Sequence, residues 1–127
     1  MKLLKAIITL CAMGLLSAQS YAQDKPDILQ MFDQFLLSNY AVSQCSKPDA
    51  ETFDKFLANF QIVTIRAAEE VRKKNPSSSN QNAQLFMKSR STSQNKQVTK
   101  IIQSGGCNDP RIQDLLKNFK IQANLKL

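Results

Sequence analysis

Two cysteines, Cys45 and Cys107, stand in a chain whose first 22 residues read as an export signal, and together these features restrict what the rest can become. Lys2 and Lys5 supply the positive n-region, Ala6 to Leu16 the apolar h-region, and Ser20-Tyr21-Ala22 a small-residue cleavage site before Gln23. The apolar run is too short to span a bilayer, and no later window holds ~20 consecutive apolar residues. The mature protein is therefore expected to be soluble outside the cytoplasm, in a bacterial periplasm. Cys11 leaves with the signal. Two cysteines in an oxidising compartment form one intrachain pair, so a Cys45–Cys107 disulfide is expected, as a structural staple. It would close a span of 62 residues and constrain the unfolded chain by about 4 kcal/mol. A thiolate nucleophile needs a base beside it, and the chain has no histidine; a Cys-x-x-Cys redox motif is missing too.

Residues 23–127 suit one domain around one core, with seven Phe, two Tyr and no Trp as aromatic filling. The formal net charge of +7 is unevenly spread. Residues 23–70 carry four basic and eight acidic side chains, whereas residues 71–127 carry eleven basic and two acidic ones. Such a dipole in sequence suits a basic face for an acidic partner, an anionic lipid surface or a wall polymer. It equally suits two halves packed together with solvated charges outward. Nucleic acid is not expected as a partner, because export removes the protein from it and no binding motif accompanies the lysines.

The hydrophobic spacing is helical throughout. Asp24-Lys25-Pro26-Asp27 opens a first helix, since proline is tolerated in a first turn and carboxylates favour the positive end of the dipole. Ile28, Met31, Phe32, Phe35, Leu36 and Tyr40 then form one face, widened by Leu29 and Leu37, and the helix ends near Cys45. Ser46-Lys47-Pro48-Asp49 repeats the opening, with Ser46 as candidate cap and Pro48 in the first turn. The second helix should run to about Lys74 and be the longest; Phe53, Phe56, Leu57, Phe60, Val63, Ala67 and Val71 form its stripe. Ile62, Ile65 and Ala68 extend the stripe around the cylinder, which predicts a central position. Asn75-Pro76 stops it, and Ser77 to Asn82 reads as a loop.

A third helix is read from about Gln81 to Ser104, with Leu85, Phe86, Met87, Val98, Ile101 and Ile102 as core residues on either side of a solvated middle, a break near Ser91 to Ser93 being the alternative; Gly105-Gly106 ends it. Asn108-Asp109-Pro110 caps the last helix, whose stripe is Ile112, Leu115, Leu116 and Phe119, with Ile121, Leu125 and Leu127 extending it or fraying. No strand-like alternation appears. The fold class is therefore all-α, a small four-helix bundle-like domain with one disulfide between the end of the first helix and the start of the fourth.

Catalytic chemistry is poorly served. Without histidine, Ser-His-Asp and Cys-His machinery and the common zinc-hydrolase ligand sets are excluded, and no Gly-rich phosphate loop exists. Glu51 with Asp54, and Glu69 with Glu70, are the remaining paired carboxylates, read as dipole partners rather than as an acid/base pair. No enzyme activity, metal or cofactor is expected. The Phe-rich second helix could line a groove for a lipid tail or client peptide, although phenylalanine at this spacing is ordinarily core. For a protein partner the candidate surface is Ser77, Ser78, Ser79, Asn80, Gln81 and Asn82, a projecting polar loop flanked by Arg72, Lys73, Lys74, Lys88 and Arg90. Positive potential there would steer an acidic rim; the competing reading is a solvated linker. The polar stretch Ser91 to Gln97 is the next candidate.

Tyr40-Ala41-Val42-Ser43-Gln44-Cys45, closing a signal-proximal helix, resembles the Tyr-Ala-Leu-Ser-x-Cys segment of periplasmic immunity proteins against type VI secretion amidase effectors. Cys107 followed by a capped segment and a final helix is similar to the same family in layout, while Asn108-Asp109-Pro110 and the 77–82 run depart from it. The resemblance implies a small all-helical, disulfide-bonded protein that binds and blocks a peptidoglycan-cleaving amidase. Layout and compartment are also similar to those of small acid-stress periplasmic chaperones, but the missing histidine and few acidic groups argue against a protonation switch. A homodimer is compatible with either. Intact-mass analysis of the exported protein is expected to place Gln23 first; a product retaining Met1 overturns the export reading.

Overall fold

The computed structural model describes residues 27–77 and 79–127, so the segment read as an export signal, the Asp24-Lys25-Pro26 part of the expected first cap and Ser78 lie outside the described residues. Within them run α1 (Ile28–Cys45), α2 (Ala50–Lys74), α3 (Asn80–Gly105) and α4 (Pro110–Ala123), and no strand. Each helix starts where a side-chain oxygen takes up an amide hydrogen that has no partner inside the helix. Asp27 accepts from Leu29 N at 2.9 Å, Asp49 from Thr52 N at 2.8 Å, Ser79 from Asn82 N at 3.3 Å and Asp109 from Arg111 N at 2.9 Å. The cap of α2 is thus Asp49 rather than Ser46, and Pro48 precedes the helix instead of filling its first turn. Asp49 prevails because its carboxylate accepts from both Thr52 N and Thr52 Oγ1, and an ionised acceptor binds more strongly than a hydroxyl. Those bonds hold its carboxyl below the usual carboxylate range. Helix α3 continues unbroken through Ser91–Ser93 and, at 26 residues against 25 for α2, is the longest.

The central helix is α1, not α2. It packs against all three others, while α3 meets α2 and α4 only lightly. Leu36 and Ala41 of α1 are both buried, although five residues turn a helix to positions roughly 140° apart, so burial wraps most of its circumference. In α2 the buried positions Phe56, Val63, Ala67 and Val71 keep to one stripe, and the apolar residues beyond it, Phe53, Leu57 and Ile65, are exposed. Apolar breadth in sequence therefore did not become burial on two sides.

Five phenylalanines join α1, α2 and α4. Phe35 stacks on Phe56 with ring centroids 5.3 Å apart, and Phe56 on Phe119 at 4.0 Å. Phe60 and Phe32 flank them at 5.7 to 6.0 Å. A second, smaller cluster of Ala41, Val98 and Ile112 joins α1, α3 and α4, with Cys45 packed against it. Beside that cluster the Cys45–Cys107 disulfide ties the end of α1 to the residues preceding α4, with Cα atoms 5.5 Å apart. The chain end is held by Asn59, a buried amide on α2 whose Nδ2 donates to Gln122 O at 2.8 Å and Leu125 O at 2.9 Å. Helix α4 stops at Ala123, and Ile121, Leu125 and Leu127 stay exposed.

The glycine pair is explained position by position. Gly106 has φ +72°, a left-handed value that a side chain resists. Gly105 is needed for space, because a Cβ there would run into the Asp109 carboxylate. That carboxylate is held down to about 2 by hydrogen bonds from the Arg111 side chain and backbone N–H. Replacing both Cys45 and Cys107 by serine is expected to lower the unfolding free energy by about 2–4 kcal/mol, read from urea melts. A double serine variant with the same midpoint as the oxidised parent protein would remove the staple role.

Candidate partner-binding surface

The polar run expected to project as one loop divides in two. Ser77 sits in a turn after Asn75, Ser79 caps α3, and Asn80, Gln81 and Asn82 form the first turn of α3. Ser79 causes the division: its backbone carbonyl receives Asn82 N and Ala83 N while its hydroxyl faces the same turn, so a stretch polar in composition winds into helix. The connection between α2 and α3 shortens to residues 75–79.

Lys88 and Arg90 also part company. Lys88 is exposed and has no ion-pair partner among the described residues. Arg90 points inward across the bundle to Asp33 of α1, with Nε donating to Oδ1 at 2.8 Å and Nη2 to Oδ2 at 2.5 Å. The two side chains are 28% and 18% exposed, so this two-pronged bond is shielded enough to hold α3 on α1. The Arg90 guanidinium also lies 5.5 Å from the centroid of the Phe86 ring. Sequence spacing gave no sign of this, since 57 residues separate the partners. A second polar pin comes from Tyr40 and Thr99, whose hydroxyls are 3.2 Å apart. These polar pins matter because α3 buries only Ala83 and Val98.

What α3 turns outward is partly apolar. Leu85 and Phe86, expected in the core, are 57% and 41% exposed, because Ala83 and Val98 are the positions of α3 that the other helices cover. Leu85, Lys88, Ser89, Thr92, Ser93 and Lys96 line a shallow depression of about 590 Å³ on its outer side, which brings the 91–97 stretch and Lys88 into one surface. Arg72 and Lys73 are exposed at the neighbouring end of α2, and Lys74 reaches Glu70 at 3.7 Å. The carboxylates considered for acid/base work lie elsewhere: Glu51 pairs with Lys55 at 2.5 Å on the surface of α2, and Glu70 with Lys74. Among the described residues no three His, Cys, Asp or Glu side chains gather as a metal would require, and no helix is long and apolar enough to cross a membrane.

No family model matches the chain, and no curated protein or solved structure matches it. The surface must therefore be judged on its chemistry: two exposed apolar side chains rimmed by cations, on a helix held by oriented polar bonds. Reversing Arg90 to glutamate is expected to cost about 1–3 kcal/mol of stability, whereas Lys88→Glu should stay within about 0.5 kcal/mol. Equal urea midpoints for the two variants would show that the Asp33 bond does not hold α3.

Proposed function

We propose that the chain is an exported periplasmic binding protein without enzymatic activity, an inhibitor of the immunity type that blocks a peptidoglycan-cleaving amidase. The observation that supports this reading best is the outer surface of α3. Leu85 lies in water with Lys88 and Lys96 beside it, and Phe86 is exposed next to it in sequence under the Arg90 guanidinium, a mixture of apolar and charged side chains suited to protein recognition. The disulfide and the Arg90–Asp33 bond hold that surface in one shape before any partner arrives, which reduces the ordering cost of binding. Its positive sign suits an enzyme with an acidic cleft rim. The likeness of the Tyr40-to-Cys45 segment to amidase immunity proteins points the same way.

The other reading, a chaperone or lipid and envelope adaptor, has its own observation. Val42, Pro48, Ala50 and Phe53 line an apolar depression of about 490 Å³ between α1 and α2. Affinity capture from periplasm, followed by an amidase assay of what is captured, separates the two. One stoichiometric partner whose wall-cleaving activity falls on adding the chain is expected. Leu85→Ser combined with Lys88→Glu should then weaken inhibition at least tenfold, about 1.4 kcal/mol. Co-purifying lipid, or many clients and no inhibited hydrolase, overturns the proposal.

A further inference from the structure

We infer that the depression between the α1–α2 turn and α4 is a binding site for a carboxylate carried on a compact apolar body. The depression holds about 430 Å³ and is floored by Val42, Leu116 and Phe119, with Lys47, Lys117 and Lys120 at its rim. Val42 and Phe119 belong to the main core and are 5% and 1% exposed, so the base of the depression is rigid, and the half-buried Pro48 and Leu116 supply its accessible apolar surface. The rim is positive. Lys47 and Lys120 have no ion-pair partner among the described residues, and Lys117 reaches only Asp114, 3.9 Å away on the open surface. One acid lines the depression, Asp49, and both its oxygens are taken by Thr52 N and Thr52 Oγ1. Three ammonium groups against one committed carboxylate leave a charge that an anion would relieve.

The geometry is a product of the fold rather than of a local motif. Lys47 arrives with the turn after α1, and Lys117 and Lys120 with α4, so the packing of α4 against α1 brings them to one depression. A bare anion would leave the Pro48 and Leu116 surface wet, and a neutral apolar molecule would leave the lysines without a counter-charge. A carboxylate on an apolar body satisfies both, and a pocket of this volume fits a small ligand. Two sources share that chemistry, a short fatty acid and the carboxylate of an aromatic or aliphatic amino acid in a peptide. The inference does not rest on the proposed partner, because this depression shares no lining residue with the α3 surface of Leu85, Lys88 and Lys96.

The test is a nitrogen–proton NMR titration of the oxidised protein with octanoate, N-acetylphenylalanine, their neutral counterparts octanol and N-acetylphenylalanine amide, and inorganic phosphate. Saturable shifts confined to residues 46–49 and 113–120 are expected for at least one carboxylate, with the tighter of the two identifying the source. Neutral counterparts and phosphate should bind at least tenfold more weakly. The Lys117→Gln/Lys120→Gln variant, altered only at exposed positions, should keep its melting temperature and lose at least tenfold in affinity. No saturable shift with either carboxylate, shifts centred elsewhere, or affinity indifferent to ligand charge and to the lysine substitutions overturns the inference.

Discussion

The contact of Phe35, Phe56 and Phe119 is the interaction on which the rest of the molecule depends. One ring comes from each of α1, α2 and α4, and all three are buried, so separating any pair of these helices would expose large aromatic surfaces. The contact also decides which helix is left out. Helix α3 contributes no ring to it, and joins the same cluster through the buried Ala83 and the half-buried Met87. Its attachment is therefore delegated to the smaller cluster around Val98 and to oriented polar bonds, Arg90 to Asp33 and Thr99 to Tyr40. A three-helix aromatic core with a fourth helix pinned alongside is the consequence.

Much of this was legible in the sequence because its signals are local. A proline in a first turn after an acidic cap, glycines where α3 ends, and basic residues in the last turn of α2 each act within a few residues, and the four helices of the described residues follow from signals of this kind. The disulfide was legible for a different reason: past the segment read as an export signal the sequence holds two cysteines, which allow one intrachain pairing. What escaped was relational. Periodicity reports how broad an apolar face is, not how many neighbours will cover it, so α2 with Phe53, Leu57 and Ile65 outside its stripe looked more central than α1. Ser77 to Asn82 looked like a loop because serine and asparagine favour turns, yet the same preference makes Ser79 a cap that starts a helix within the run. Arg90 looked free because its partner lies in another helix. The Lys47, Lys117 and Lys120 grouping was invisible for the same reason.

The uneven charge of the two halves acquires a definite form in three dimensions. If the halves neutralised each other by packing, ion pairs would cross between them. Among the described residues Arg90–Asp33 is the one that joins helices of the two halves; Glu70–Lys74 straddles the boundary inside one helix, and Glu51–Lys55, Asp114–Lys117 and Asp109–Arg111 stay within short stretches of chain. Local pairs of that exposed kind contribute little to stability. The basic surplus is thus left outward, in two places at opposite ends of α2, one beside Leu85 on α3 and one over the Phe119 floor.

These two basic places differ in how firmly the fold holds them, and that difference bears on what each can do. The rim over Phe119 is fixed by the aromatic core beneath it and by the disulfide beside it, so a ligand there meets a surface that is already formed. The Leu85–Phe86 surface belongs to the helix with the least apolar burial, and its position is set by Arg90, whose guanidinium touches both Asp33 and the Phe86 ring. Anything that binds the outer side of α3 therefore acts on the same residues that attach it. By linkage, a partner binding only the attached form adds about 2.7 kcal/mol of stability at a hundred times its Kd, as much as that polar attachment is itself able to supply. Recognition and the seating of α3 are in this way one equilibrium, and the Asp33–Arg90 bond determines how much of it is settled before the partner arrives.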